Sequence, residues 1–332
     1  MLDWGKADKP ALESTADDSI YDLLILGAGP AGMTAGVYAA RKQLKTVIVA
    51  KDVGGQTSWS SGIENYLGYL YITGPELVAK FEEHVRNFNL KMEFGKIVKF
   101  SQSDHFIAFT DDGREFHARA AVIATGKSPK MLNVPGEDEF RGRGVSYCPT
   151  CDAPLFSGLD VAVVGGGNSG FDAAIQLMKI CPKVYILEAT SNLKADEVFQ
   201  EKAKASKNVE ILVNTKVQEI LGETMVTGVR SYNTATGEER LLRVQGVFVE
   251  IGLAPNTDFL GGLLPLNEWG EIPVDCECRT GIPGLYAAGD VTTVAEKQII
   301  IAAGQGATAA LRAYDFLIRS EKSRTSVTER AY

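Results

Sequence analysis

The sequence predicts an α/β chain built from two doubly wound βαβ units. Two observations carry this. Tyr21 to Gly32 reads YDLLILGAGPAG, an apolar run ending in a glycine-rich turn. The same grammar returns from Asp160 to Ala174 as DVAVVGGGNSGFDAA. The length agrees: 332 residues, 45% of them hydrophobic, suffice for about two domains of ~150 residues each.

In the first unit, residues 23–26 read as a strand and Gly27-Ala28-Gly29-Pro30-Ala31-Gly32 as the turn after it. The following TAGVYAARK suits a helix, and residues 45–50 (KTVIVA) a second strand. The turn has the spacing G-x-G-x-x-G. Its glycines permit a tight turn and close backbone approach to a pyrophosphate, while the helix N-terminus offers free N–H groups and a positive dipole. No acid stands at the end of the second strand; Ala50 and Lys51 come there, with Asp52 just beyond.

In the second unit, Val161–Val164 reads as a strand and Gly165-Gly166-Gly167-Asn168-Ser169-Gly170 as its turn. A helix from Phe171 to about Ile180 and a strand at Val184–Leu187 follow. Two such turns, each in βαβ context, describe two Rossmann-like dinucleotide-binding domains. Glu188 ends the second strand about 20 residues past its turn, where an acid can accept from both ribose hydroxyls and repels a 2′-phosphate. Residues 189–193 hold no arginine, and Lys194 is the only cation nearby. This favours NADH over NADPH, unless Glu188 is merely a solvated strand end.

The net charge of −8 argues against a phosphate-binding surface, so no nucleic-acid partner is expected. No apolar run approaches the ~20 residues of a membrane span. Residues 1–20 are polar and acidic, without the apolar core of an export signal. They read as a flexible leader and place the chain in the cytoplasm. The polar tail ends in Tyr332 and reads as frayed.

Residues 146–156 read SYCPTCDAPLF, with Asp152 directly after the pair Cys148 and Cys151. A C-x-x-C can hold zinc, close a structural disulfide or carry electrons. Zinc needs about four Cys or His ligands. The remaining candidates are Cys181, Cys276, Cys278, His84, His105 and His117, and Cys276-Glu277-Cys278 lacks the usual spacing. On a strand, that triplet would put both cysteines on one face. No metal site is expected, and these three cysteines read as free thiols. In the cytoplasm thiols stay reduced, which makes a structural disulfide the weaker reading. Near a helix start, a C-x-x-C thiol ionises more readily. Asp152 can supply a proton there, or can be an N-cap or surface residue.

At this point the chain resembles a family. It is similar to the low-molecular-weight thioredoxin reductases, and equally to the C-terminal flavoprotein part of the alkyl hydroperoxide reductase flavoprotein subunit. The resemblance runs from about Tyr21 to Arg319. Its motifs are GAGPAG at Gly27, GGQ at Gly54, IENY at Ile63, ATG at Ala124, NVPGEDEF at Asn133, CPTCD at Cys148, GGGNSG at Gly165, GLAPNT at Gly252, AAGD at Ala287 and KQIIIAAGQG at Lys297.

The resemblance implies an FAD-binding domain over 21–126 and 254–332, with an NAD(P)H-binding domain, 127–253, inserted into it. The breaker-rich stretches Lys127-Ser128-Pro129-Lys130 and Gly252-Leu253-Ala254-Pro255-Asn256 read as the two crossing linkers. It implies FAD at Gly27, Gly29, Ala31, Gly32, Gly55, Gln56, Asn65, Thr125, Gly126, Gly289, Asp290, Gln298 and Ile299. Asp290, at a turn after a strand over residues 284–288, can accept from ribityl hydroxyls or cap a helix. The resemblance implies a pyridine nucleotide at Gly165, Gly167, Asn168, Ser169, Gly170, Glu188, Lys194 and Gly252.

It further implies a homodimer in which Cys151 is the flavin-proximal sulfur, Cys148 attacks a partner disulfide, and Asp152 is the general acid. The partner is expected to be a separate thioredoxin-like protein, since the 20-residue leader is too short for a thioredoxin-like domain. NADPH-dependent thioredoxin reductases carry a His-Arg-Arg…Arg cluster where this chain has Glu188-Ala189-Thr190…Lys194. The peroxide-reductase flavoprotein has a similarly acidic pattern and uses NADH. Some relatives take electrons from ferredoxin or another carrier, which the intact GGGNSG turn argues against. A flavin-binding redox sensor is the reading from another class. A disulfide that must meet both a flavin and an outside protein implies a hinge at the linkers. In some related flavoproteins a terminal aromatic stacks on the flavin, which is the second reading of Tyr332.

Overall fold

The computed structural model describes residues 20–60 and 62–328. Residues 1–19 of the expected leader, and Tyr332, lie outside them.

The first unit is built on β1 (Ile20–Ala28), β2 (Thr46–Val53), β3 (Lys91–Phe94), β4 (Ile97–Gln102), β5 (Phe106–Thr110) and β6 (Glu115–Ile123). They lie in the order β3-β2-β1-β6-β5-β4. The first four of that order pair in parallel, and β4, β5 and β6 form an antiparallel meander. β1 reads as one apolar run because it is covered on both faces. Its side chains alternate. Leu23 and Ile25 meet the helix layer with Met33 and Ala309, while Leu24 and Leu26 meet Phe100, Phe106 and Phe259. α1 (Pro30–Arg41) starts straight from the glycine turn, with Gly29 as its N-cap. It packs against α6 (Ile299–Thr328) so closely that a Cβ on Gly306 would strike the Ala31 carbonyl. α2 (Gly74–Asn87) opens on a capping box formed by Thr73 and Glu76.

The chain leaves this sheet after β6 through β7 (Lys127–Pro129) and returns through β16 (Leu253–Pro255). β17 (Leu285–Ala287) then joins the first sheet in parallel beside β6. Between the crossings lies a second parallel sheet. It is built from β8 (Val145–Ser146), β9 (Val161–Val164), β10 (Val184–Leu187), β11 (Val209–Leu212) and β15 (Gly246–Val249), in the order β11-β10-β9-β15-β8. One face carries α4 (Asn168–Leu177) and α5 (Glu197–Lys204), packed around Phe171, Leu177 and Phe248, with the short α3 (Pro149–Asp152) beside α4. The other face is covered by an antiparallel sheet of β12 (Thr215–Gly222), β13 (Val226–Asn233) and β14 (Glu239–Leu242), through Ile220, Val229 and Leu242.

In each parallel sheet the glycine turn follows a central strand at the point where strand order reverses. β1 lies between β2 and β6, and β9 between β10 and β15. That is where open α/β sheets leave a crevice beyond the strand ends. The two turns are held in the same way. Gly27 has φ +113 and Gly165 φ +132. A Cβ on either would run into a carbonyl of the neighbouring strand end, Ala124 in one case and Glu250 in the other. Gly32 and Gly170 sit against the carbonyls of Gly27 and Gly165.

The two breaker-rich linkers run side by side: β7 and β16 pair antiparallel, Leu253 opposite Pro129 and Pro255 opposite Lys127. A two-stranded ribbon tolerates proline because one edge of each strand is free. The helix expected from Phe171 starts at Asn168, directly on the turn. Cys276 and Cys278 share no face. The Asp275 side chain accepts from the Glu277 and Arg279 amides, which bends the chain into a turn with Cys278 at φ +62. Cys278 is buried and Cys276 exposed. Among the described residues no helix is long and apolar enough to cross a membrane.

Gly170→Ala should lower stability by ~1–3 kcal/mol, as overpacking does. Gly167→Ala should be close to neutral, because nothing lies within 4 Å of a Cβ there. Chemical denaturation of the two variants checks this.

Candidate active site

A cavity of about 330 Å³ opens where β1 and β6 end. Of the residues expected at FAD, Gly27, Gly29, Ala31, Gly55, Gln56, Thr125, Gly126, Gly289, Asp290, Gln298 and Ile299 line it. Gly32 and Asn65 do not. Gly32 instead permits the turn to close on itself, and Asn65 donates to Gln298 Oε1 at 3.2 Å.

The cavity fits a dinucleotide by its backbone. Nothing lies within 4 Å of a Cβ position on Gly29, and no side chain caps the first amides of α1. The N-terminus is thus bare and faces open space, as an anion site requires. α2, elsewhere in the same unit, spends a threonine and a glutamate on its cap. Asp290 caps no helix; the next one starts at Ile299. Burial pushes the Asp290 carboxyl up, with Lys297 and Lys127 offsetting part of this. Both lysines meet Glu271 Oε1, at 3.2 and 2.6 Å.

The second unit contributes the other wall. Cys148 and Cys151 form a disulfide, with Cα atoms 5.3 Å apart, and both line the cavity. Pro149 stands in the first turn of α3, and Cys148 is its N-cap residue. The Cys151 and Asp152 amides both donate to the Cys148 carbonyl, which closes the turn.

Asp152 is 6% exposed, lines the cavity and caps nothing. Its Oδ2 accepts from Ser146 Oγ at 2.6 Å, and its Oδ1 from Ser60 Oγ at 3.3 Å. Burial raises its pKa to about 6, and the two hydroxyls hold it from rising further. A carboxyl in this range can give and recover a proton near neutral pH. Ser60 belongs to the first unit and Ser146 to the second, so the proton site is assembled from both.

Most of the residues expected at the pyridine nucleotide gather beyond the ends of β9 and β10. Gly167, the N-cap of α4, repeats the first turn: open space at its Cβ position and no side-chain cap. Ser169 is exposed. Asn168 is engaged by Asp196, whose amide donates to Asn168 Oδ1 at 2.7 Å. Lys194 has an exposed side chain and an amide that donates to the Gly166 carbonyl. Gly252 lies apart, in the linker ribbon, with φ +107 and Lys130 alongside.

Glu188 is more than a solvated strand end. Its Oε2 accepts from the Gly166 amide at 2.8 Å, and its Oε1 from the Thr190 amide and hydroxyl at 2.9 and 2.8 Å. Desolvation raises its pKa, but these bonds together outweigh it and leave the carboxyl below its ordinary value. A fixed negative charge therefore stands at the end of β10.

Sequence reading missed Ser60 and Ser146, which hold Asp152, and Glu250. Glu250 follows β15 directly, and its Oε1 is buried without a hydrogen-bond partner. Burial, with Asp172 nearby, raises its pKa to about 8. An acid closing the run GVFV was a visible signal; nothing local marks Ser60.

Two dinucleotide-type crevices, with a cysteine pair opening on one of them, define a class of disulfide-handling nucleotide enzymes. A family model described as pyridine nucleotide-disulphide oxidoreductase matches residues 21–306, and the chain belongs to that family. Membership implies FAD and a pyridine nucleotide as cofactors. The chain is 45% identical over 317 residues to the F subunit of alkyl hydroperoxide reductase from Staphylococcus aureus, covering 93% of this chain and 62% of that one. It is 45% identical over 306 residues to NADH dehydrogenase of Bacillus subtilis, covering 92% of this chain and 60% of that one. It therefore spans about three fifths of the length of these relatives. The thioredoxin reductase of Streptococcus pyogenes has the same fold, with a TM-score of 0.86 and 38% identity over 91% of this chain and 100% of that one.

The Asp152 shift has a stability consequence. Its folded pKa lies above its ordinary value, so the stability it contributes is complete below about pH 4. That stability is lost as pH rises through about 6, an amount of up to ~3 kcal/mol. The stability difference between the wild type and Asp152→Asn should decline across that window and then level, as read by denaturant unfolding at stepped pH.

Proposed function

We propose that the chain is an FAD-dependent, thioredoxin-reductase-like disulfide oxidoreductase. It passes electrons from a pyridine nucleotide, with NADH favoured, through FAD and Cys148–Cys151 to the disulfide of a thioredoxin-like protein. The carrying observation is the Cys148–Cys151 disulfide and buried Asp152 opening on the cavity of the first glycine turn. On this reading, 21–126 and 254–332 hold FAD, 127–253 holds the pyridine nucleotide, and the chain works as a cytoplasmic homodimer.

Bound FAD would supply the two-electron chemistry that links a pyridine nucleotide to the disulfide. The protein's own residues do the rest. The uncapped N-termini of α1 and α4 bind the two pyrophosphates. Cys151 is the sulfur nearer the flavin, and Cys148 the thiol that attacks the partner. When the disulfide opens, Asp152 Oδ supplies a proton to the departing thiolate and recovers one from solvent. Ser146 and Ser60 keep that carboxyl aimed. The β7–β16 ribbon is the hinge about which the second unit turns its disulfide outward.

The fixed charge of Glu188 supports the NADH preference, because a 2′-phosphate would meet it without an arginine to offset it. A relative named NADH dehydrogenase agrees with that direction.

Anaerobic addition of NADH to the purified protein should bleach the flavin at least tenfold faster than NADPH. Bleaching by neither would defeat the pyridine-nucleotide reading. Cys148→Ser should still bleach, yet lose thioredoxin reduction. Glu188→Gln, which removes the charge and keeps most of the bonds, should narrow the NADH-to-NADPH ratio of kcat/KM by about tenfold.

A further inference from the structure

Beside the disulfide, one short segment of the first unit faces the second unit across the seam. Trp59 ends a 3-10 helix (Gly55–Trp59). Ser60 after it anchors the segment, donating its amide to the Thr57 carbonyl and accepting the Gly74 amide. Arg141 and Tyr147 of the second unit stand opposite. The Arg141 guanidinium carbon lies 4.7 Å from the Trp59 ring centroid and 5.7 Å from that of Tyr147. The two rings are 6.5 Å apart and inclined at 59°. The cation thus contacts an aromatic face from each unit.

Its second-unit side is tied by hydrogen bonds to one buried carboxylate. Glu137 is 2% exposed and accepts from the Leu132 and Asn133 amides at 2.9 and 2.7 Å. The Tyr147 hydroxyl donates to the same carboxylate at 3.0 Å. Arg141 is paired with Asp138, but its Nε is buried without an acceptor. Leaving that donor unbonded costs free energy, which the ring contacts offset. Tyr147 is followed directly by Cys148, so whatever holds its ring holds the disulfide.

We propose that Trp59 and Arg141 form a latch between the units, and that this latch sets how much of the time Cys148–Cys151 faces the first cavity. Both line the rim of the first cavity and act here as positioning residues. The inference rests on the reading above that the second unit turns. Breaking the guanidinium–indole contact loosens the arrangement in which the disulfide faces the cavity and shifts the population toward the outward one. Two hydrogen bonds also tie this segment to the second unit: Ser60 Oγ to Asp152 Oδ1, and Gln56 Nε2 to the Lys127 carbonyl at 2.9 Å.

The test needs no turnover. The protein as isolated, carrying Cys276→Ser to remove the exposed thiol, is reduced with dithiothreitol, freed of reductant anaerobically and treated with iodoacetamide. Modification of Cys148 and Cys151 is followed by mass spectrometry. Trp59→Leu and Arg141→Gln should be alkylated about fivefold to tenfold faster than the parent, and Trp59→Phe, which keeps a ring, at nearly the parent rate. Equal rates in all four proteins, or Phe as fast as Leu, would overturn the latch. Rapid mixing supplies a second reading. Trp59→Leu should speed bleaching of the flavin by NADH and slow the opening of the disulfide by the reduced enzyme. A variant that slows both is merely damaged and also counts against the proposal. Bleaching of the wild type tests the function itself, so the two ideas can fail separately.

Discussion

Close approach of backbone to backbone at two strand ends is the constraint on which the rest of this structure depends. Gly27 lies against the Ala124 carbonyl and Gly165 against that of Glu250, each at a φ that side chains rarely adopt. Those contacts let β1 meet β6, and β9 meet β15, with nothing projecting into the crevice. The crevice exists because the turn carries no Cβ. Helix N-termini point into it because the turn leads straight into α1 and α4. From that one geometric fact follow the cavity, the uncapped helix N-terminus that faces it, and the bare wall against which a second unit can bring a disulfide.

Three carboxyl groups then show how placement decides chemistry. Asp152 is buried with two hydroxyls for company, and its proton becomes exchangeable near neutral pH. Glu188 is partly buried but accepts three hydrogen bonds, from the Gly166 amide and from the Thr190 amide and hydroxyl, which hold its carboxyl below its ordinary value. Glu250 is buried with one oxygen unbonded, and it holds its proton to about pH 8. Sequence position alone separates none of them, since each simply follows or adjoins a motif. The difference lies in how many donors surround each group.

Much of this was legible beforehand. The strands Val161–Val164 and Val184–Leu187 carry the limits their apolar runs announce, because fully buried strands admit no polar residue until they end. The glycine turns were legible because their conformation restricts the residue type. What escaped was whatever depends on chain segments far apart. Ser60 meets Asp152 only because two units are folded against each other, and no local pattern marks a lone serine. At Gly32 a Cβ would meet the Gly27 carbonyl, a constraint within the turn that the glycine spacing signals without naming its cause. The prolines of the linkers suggested breaks, whereas the partner strand that turns them into a ribbon lies more than a hundred residues away.

That ribbon has a bearing on how the chain comes to be folded. β6 is made early, but β17, its parallel neighbour, emerges only after the whole inserted unit has been synthesised. Until then one edge of β6 near Ala121 and Ile123 waits unpaired. Joining such distant strands through an unstructured loop would carry the entropy cost of a very long closure. An inserted unit that folds before β17 docks would shorten that loop. Asn256 accepts from Ser128 Oγ through its side chain and donates to the Thr125 carbonyl, clasping the outgoing and returning strands together. Once it does, the chain re-enters the first unit beside the place where it left. A nascent chain can therefore complete its oldest sheet with its newest strand, provided the middle has already found its own shape.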